Sequence, residues 1–325
     1  MKQYDVFNGD ADGLCAVHQL RLSAPMESEL ITGVKRDIAL LAKVNAADGD
    51  TVTVMDISLD KNRAALDSLL ARGIHIRYFD HHYAGEVLPA HSCLEAYIDT
   101  SPEVCTSLLV NQYLNGQYLP WAVVAAFGDN LHASAKRAAL VLKYDDKQLD
   151  ALCELGTCLN YNGYGSTLDD LHFTPTALYQ KMKPYADPFD FIRDETAYQT
   201  LRAGYYDDMA SAENIKPEFA DAHVALFMLP DAKWSRRVSG VFGNQLSTAT
   251  PARAHAVLTA LPAGGYVVSV RAPQNNKTGA DELCRSFDTG GGRKGAAGIN
   301  FLPESDLELF IQRFRQQYSG KASGL

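Results

Sequence analysis

Apolar and polar positions follow two periods along this chain, and the two periods take turns. QYDVFNG (residues 3–9) is a short apolar-rich run closed by a glycine and reads as a strand. DGLCAVHQLRL (12–22) sets Leu14, Val17 and Arg21 on one helical face behind an acidic start, the mark of a helix N-terminus. The alternation recurs with ELITGVK (29–35) as strand, RDIALLAKVNAA (36–47) as helix and DTVTVMDI (50–57) as strand. SLDKNRAALDSLLARG (58–73) then reads as a helix ending at a glycine, and IHIRYFD (74–80) as a strand. Strands separated by helices of this length predict an α/β fold with a doubly wound parallel sheet. Such sheets take ligands at the carboxyl ends of their strands. Asp10, Asp56 and Asp80 all fall at or just past a predicted strand end.

From 102 to 199 the pattern is mainly helical, as in PEVCTSLLVNQYL (102–114), PWAVVAAFGDN (120–130), KQLDALCELGTCL (147–159) and TPTALYQKM (174–182). DDMASAENIKPEFADA (207–222) is polar, contains Pro217 and reads as a linker. A second alternating region follows. Its predicted strands are HVALFMLP (223–230), the pair AHAVLTALP and GYVVSVRAP across a Gly-Gly turn, and GINFLP (298–303). Its predicted helices are WSRRVSGVFGNQLS (234–247), GADELCRSF (279–287) and ESDLELFIQRFRQQY (304–318), with a glycine-rich loop before the last strand. The expected organisation is a larger domain at 1–206, a linker at 207–222, a smaller α/β domain at 223–318 and a flexible tail at 319–325.

Composition narrows the function. At 46% hydrophobic and 21% charged residues the chain has the make-up of a soluble globular protein. No apolar run approaches the roughly 20 residues of a membrane span, and the N-terminus lacks the pattern of a secretory signal. The six cysteines are scattered without CxxC spacing, which fits reduced thiols and a cytoplasmic setting. Thirty Lys and Arg against 39 Asp and Glu give a net charge of −9. A protein that tracks long duplex nucleic acid carries a basic surface, so phosphate handling here is expected to be local and the substrate short.

The candidate chemistry begins at FNGDADGL (7–14). Asn8, Asp10, Asp12 and Gly13 match the first half of a calcium loop, but the position of the bidentate glutamate is Gln19 and the preceding segment is a strand. An acidic turn capping a helix accounts for the segment equally well on its own. Asp56 in VMDIS likewise reads alone as a helix cap. Asp80, His81 and His82 in YFDHHYAG are harder to explain by packing, because each buried ring needs a partner. Asp129 in FGDN ends an apolar helix, where the helix dipole disfavours a carboxylate and a compensating cation is expected. Together these are five Asp and two His, a set suited to Mn²⁺, Mg²⁺ or Zn²⁺.

In this order, NGDADG, VMDIS, YFDHHYAG and FGDN resemble the four motifs of the DHH phosphoesterase superfamily. GGGRKGAAG (290–298) resembles the glycine-rich motif of its DHH-associated C-terminal domain. The resemblance spans nearly the whole chain, and its two-domain layout is that of the short oligoribonuclease-like members. It implies a metal-dependent phosphodiesterase or phosphatase working in a cleft between the domains, with two divalent ions, Mn²⁺ first and Mg²⁺ or Zn²⁺ as alternatives. It implies Asp10 at the first ion, Asp12 at the second, Asp56 bridging, and His81 and Asp129 completing the second site. His82 would donate to the phosphate or support the metal ligands from behind, Asp80 would orient the histidines, and a metal-activated hydroxide would attack phosphorus.

Two departures stand out. Relatives commonly carry a histidine in the first motif where this chain has Asn8, an amide that offers an oxygen to a metal or leaves the first site weakened or single-metal. Relatives also commonly have Gly-Gly-Gly-His where this chain has Gly290, Gly291, Gly292 and Arg293, followed by Lys294, a change that keeps anion contacts. Arg271 in VSVRAP is a further candidate phosphate clamp, against the plainer reading of a salt bridge. WSRRVSG (234–240) reads either as a base-stacking platform or as a helix start with a buried Trp. The expected substrates are short oligonucleotides, linear or cyclic dinucleotides, or pAp. Polyphosphate is the enzymatic alternative, and a non-catalytic nucleotide-binding regulator is the alternative of another class. Pairing into a homodimer through the larger domain is also implied by the resemblance.

Overall fold

The computed structural model describes residues 1–318. The tail at 319–325, expected to be flexible, lies outside the described residues. Contacts divide the chain into two compact units, Met1–Gly204 and Tyr205–Leu325.

The first unit begins β1 (Gln3–Phe7), α1 (Ala11–Ser23), β2 (Glu29–Ile31), β3 (Thr51–Met55), α2 (Arg63–Ala71), β4 (His75–Asp80) and β5 (Leu94–Ile98). It continues as helices α3 (Thr106–Tyr113), α4 (Leu119–Gly128), α5 (His132–Ala139), α6 (Asp146–Gly163), α7 (Pro175–Met182) and α8 (Pro188–Asp194). The five strands form one parallel sheet in the order β2-β1-β3-β4-β5. Side chains alternate across it as the pleat requires. Val6, Val54, Ile76 and Tyr78 pack with Leu66, Leu69 and Leu70 of α2 on one face. On the other face the Phe7 ring lies 6.0 Å from Tyr179 of α7, and Phe79 lies 5.2 Å from Tyr113 of α3. The sheet is therefore doubly wound. Its strand order reverses between β1 and β3, whose last residues Phe7 and Met55 are paired, and the carboxyl ends at such a reversal are where parallel sheets take ligands.

One predicted helix does not form. Residues 36–47 are turns with a single 3₁₀ turn at Leu40–Lys43. The Asn62 side chain takes up backbone groups that a helix would pair for itself. Its Nδ2 donates to the Ile38 carbonyl at 2.8 Å, and its Oδ1 accepts from the Leu41 amide at 3.2 Å. This pins Leu40 and Leu41 into the core as a loop.

Helix α9 (Thr196–Glu213) runs through the division between the units, so residues 207–213 of the expected linker are helical. The second unit follows with β6 (Phe219–Ala220), β7 (Val224–Leu229), α10 (Lys233–Ala249), β8 (Ala254–Ala260) and β9 (Tyr266–Arg271). It ends α11 (Ala280–Arg285), β10 (Gly290–Arg293), β11 (Ala296–Leu302) and α12 (Leu307–Tyr318). Its sheet has the order β10-β11-β9-β8-β7-β6, with β7 and β8 parallel and the other pairs antiparallel. Leu226, Leu258, Val268 and Ile299 pack with Leu283 of α11 and Phe310 and Phe314 of α12. Phe227 points the other way, its ring 5.5 Å from Phe242 of α10.

The glycine-rich segment expected as a loop is the strand pair β10–β11. Gly290 and Gly292 are explained by close packing: an added Cβ would lie 1.7 Å from the Cys284 carbonyl oxygen at Gly290 and 2.5 Å from the Ala297 Cα at Gly292. A side chain at Gly291 would meet open space. Among the described residues no helix is long and apolar enough to cross a membrane.

Candidate metal centre

The first motif is shaped by its glycines. A Cβ on Gly13 would strike the Asn8 carbonyl oxygen at 2.2 Å, and one on Gly9 would strike the Gly33 carbonyl oxygen at 2.0 Å. The chain can thus leave β1 and turn at once into α1. Asp10 is the N-cap of α1, its Oδ1 accepting from the amides of Asp12 and Gly13 at 3.1 Å each. Asp12, one residue into the helix, accepts from the amides of Thr106 and Ser107 at the start of α3, at 2.7 Å each. A carboxylate oxygen has a second lone pair, so these bonds leave Asp12 able to ligate.

Asp56 follows β3 with a left-handed backbone (φ 59°), a conformation aspartate adopts more readily than most side chains. Its Oδ1 accepts from Thr106 Oγ1 at 3.2 Å. Asp80 ends β4 fully buried, with Oδ1 held to His82 Nδ1 at 2.7 Å and Oδ2 without a hydrogen-bond partner among the described residues. Asp129 caps the C-terminus of α4, and its Oδ2 is likewise buried and without a hydrogen-bond partner among the described residues.

His81 connects these groups. Its Nδ1 lies 2.8 Å from the Val104 carbonyl, which can only accept, so Nδ1 carries a proton and, in the neutral ring, Nε2 presents the lone pair. Nε2 lies 3.5 Å from Asp56 Oδ1, 3.8 Å from Asp129 Oδ2 and 4.0 Å from Asp12 Oδ2. Atoms that share one ion at about 2.0–2.2 Å stand roughly 3–4 Å apart, and each of these three distances from His81 falls in that range. Asp56, His81 and His82 also have potential ligand atoms within 4.8 Å of one another. The electrostatics agree with this fit. Burial, then the charges of Asp12, Asp10, Asp129 and Asp80, push the Asp56 carboxyl well above its ordinary pKa. Burial also raises Asp129, against the pull of Lys35 and His81. A bound cation would relieve both.

The remaining expected residues border that cluster, with His82 Nδ1 3.9 Å from Asp56 Oδ1. His82 is partly open to solvent. Burial opposes its protonation, but Asp80 outweighs this and raises its pKa, which suits a donor to an anionic oxygen. Asn8 donates through Nδ2 to the Lys35 carbonyl at 3.3 Å, and its Oδ1 is buried without a hydrogen-bond partner among the described residues.

The group that sequence reasoning missed is Lys35. Its ammonium forms an ion pair with Asp10 Oδ2, donates to Asn160 Oδ1 at 3.0 Å, lies 3.9 Å from Asp129 Oδ1 and sits 5.4 Å over the Tyr164 ring. Burial disfavours its charge, but Asp10, Tyr164 and Asp129 overcome this and raise its pKa well above the ordinary value. Burial also opposes ionisation of Asp10, and Lys35 reverses that too, lowering the Asp10 pKa. Lys35 is the cation that the helix-terminal Asp129 calls for. The cue was its place beyond a strand of a parallel sheet: pairing of β2 ends at Ile31, whereas the apolar pattern carries the predicted strand to Lys35 itself.

In the second unit, Arg293 and Lys294 are exposed at the turn between β10 and β11. Arg271 is held inward, with Nε donating to Asn244 Oδ1 at 2.7 Å, Nη1 to Ser269 Oγ at 2.9 Å and Nη2 to the Gly240 carbonyl at 3.2 Å. It ties β9 to α10. Of the two arginines in WSRRVSG, Arg236 pairs with Asp231, and Arg237 with Asp208 at 2.7 Å.

No protein-family model matches the chain, and no curated protein matches it in sequence. Solved structures do match in fold. The exonuclease RecJ bound to manganese aligns with a TM-score of 0.64 at 17% identity, over 96% of this chain and 88% of that one. The pGpG-specific phosphodiesterase PggH from Vibrio cholerae aligns at 0.55 and 12% identity, over 98% of both chains. An exopolyphosphatase-related protein from Bacteroides fragilis aligns at 0.50 and 15% identity, over 97% of this chain and 91% of that one.

Proposed function

We propose that this chain, which has the two-domain fold of the DHH phosphoesterases, is a divalent-metal-dependent hydrolase of phosphoester bonds in short phosphorylated nucleotides. The observation that carries the reading is the aim of His81 Nε2 at Asp56, Asp129 and Asp12, all within 4.0 Å, beside the reversal point of a parallel sheet. Asp12, Asp56, His81 and Asp129 would hold the ion. When bound, it offsets the carboxylate charge, activates water and polarises a phosphoryl oxygen.

The chain's own residues do the rest. The Val104 carbonyl fixes the tautomer of His81. Thr106 Oγ1 steadies the Asp56 carboxylate. Asp80 holds His82 through Nδ1 and favours its charged form, so His82 donates to a phosphoryl oxygen as negative charge develops there. Arg293 and Lys294, beside the open backbone of Gly291, are the anion contacts of the second unit in this reading. The net charge of −9 favours a short substrate over a long polymer.

Fold similarity to the exopolyphosphatase-related protein keeps phosphoanhydrides as a second substrate class. Turnover of pGpG, cyclic dinucleotides, pAp, short oligoribonucleotides and polyphosphate with Mn²⁺ separates the two. Preference for a nucleotide supports the first reading, and hydrolysis of polyphosphate alone replaces it with the second.

A further inference from the structure

We propose that Lys35 is the built-in cation on the Asp10 side of the centre, so that the protein takes one divalent ion, at Asp12, Asp56, His81 and Asp129, instead of two. The inference rests on the metal-dependent reading above and specifies how that site is filled.

Asp10 is already close to saturated. Its Oδ1 already accepts two backbone N–H groups, from Asp12 and Gly13, and its Oδ2 accepts the Lys35 ammonium. Two N–H bonds occupy both lone pairs of Oδ1, and one position remains on Oδ2. An ion drawn to that position would stand beside the ammonium, one metal–oxygen bond and one hydrogen bond away, and like charges at that range repel strongly.

Lys35 is also built in. Its backbone is fixed at both ends: the amide donates to the Gly163 carbonyl at 2.8 Å and the carbonyl accepts from Asn8 Nδ2. Its ammonium meets the buried Asn160 amide oxygen and the Tyr164 ring as well as the carboxylates of Asp10 and Asp129. Asn160 and Tyr164 come from the last turn of α6 and the residue after it, so a separate element supplies neutral groups that suit an ammonium. A cage with both an amide oxygen and an aromatic face holds a cation with several N–H donors.

Asn8 adds little on this side. With its Nδ2 committed to Lys35, it offers one neutral oxygen on this side. A single amide oxygen and a nearly saturated carboxylate make a poor seat for a hard divalent ion, which is held by several oxygens.

The count of bound ions tests this without reference to turnover. The full chain is equilibrated with Mn²⁺, passed through a desalting column, and its Mn²⁺ per chain measured by elemental analysis alongside low-temperature electron paramagnetic resonance. The expected result is one Mn²⁺ per chain with the six-line spectrum of an isolated ion. The Asn8→His, Lys35→Met double variant is expected to take up two, with the exchange-coupled spectrum of a neighbouring pair. Two coupled ions in the unaltered protein would overturn the role given to Lys35 and leave the proposed function standing. No retained Mn²⁺ would overturn both. A folded double variant that still holds one ion would also overturn the claim that Lys35 excludes the second. If the double variant does not fold, the count on the unaltered protein decides alone.

Discussion

His81 Nδ1 lies 2.8 Å from the carbonyl oxygen of Val104, two residues before α3 begins. That contact turns a histidine at a strand end into a directed ligand, because it puts the proton of the neutral ring on Nδ1 and leaves Nε2 facing three carboxylates. The same connection supplies Thr106 and Ser107, whose amides hold Asp12. One short segment therefore orients both a nitrogen and an oxygen donor.

Metal binding should stabilise the first unit. A ligand present at about 100 times its dissociation constant adds about 2.7 kcal/mol. For a unit of this size that is a rise in melting temperature of roughly 5–10 °C. Calorimetry with Mn²⁺ and then with excess chelator measures it. A melting temperature indifferent to both would contradict the assigned ligands.

Asp56→Asn should separate charge from shape. Asparagine tolerates the left-handed backbone at this position, whereas alanine would add strain to the loss of the carboxylate. Removing one of several crowded carboxylates should leave the metal-free protein as stable as the original or more so, while the Mn²⁺-induced rise disappears. Thermal melts with and without the ion give both values.

Gly156 and Gly128 let α6 and α4 approach closely. A Cβ on Gly156 would stand 2.2 Å from the Val124 carbonyl oxygen and 2.8 Å from the Gly128 amide. Gly156→Ala should cost about 1–3 kcal/mol by overpacking. It should also weaken catalysis, because Asp129 follows Gly128 and Asn160 lies one turn beyond Gly156. Chemical denaturation and kcat/KM on one sample check the two effects together. Unchanged values for both would show that this contact does not position the site.

Stability should fall between about pH 6.5 and pH 4 in part because of His18. Burial pushes its pKa down to about 4, partly offset by the 2.8 Å bond to the Tyr185 carbonyl. The unfolded chain protonates near pH 6.5, so through this window it binds more protons than the folded chain and stability drops as pH falls. The full span corresponds to about 3 kcal/mol, and His18→Gln should flatten the slope. His255 in the second unit, also pushed down to about 4, leaves a residual slope. An unchanged slope in His18→Gln would show that its imidazole is not held neutral.

The parallel strands and the aspartates at their ends were legible because both are local signals: apolar runs punctuated by polar residues. β5 gave no such signal, since Glu95 and Tyr97 are exposed on an edge strand. The loop at 36–47 looked helical because its apolar residues are real core residues, and the decisive group, the Asn62 side chain, lies some way downstream. Lys35 was hidden for a similar reason. Its partners Asn160 and Tyr164 are far away in sequence, and only the folded chain brings them together. Arg271 in the second unit is similar: its partners Gly240 and Asn244 on α10 lie well upstream, and only the folded chain brings them together.

The most direct measurement of the central claim is hydrolysis of the best nucleotide from the substrate panel, with Mn²⁺, by the unaltered protein, Asp56→Asn and His81→Gln. The account predicts hydrolysis that requires the ion and falls by at least about 100-fold in both variants. Hydrolysis that survives chelation or either substitution would contradict it, as would an ion-loaded protein that binds these nucleotides and turns over none of them.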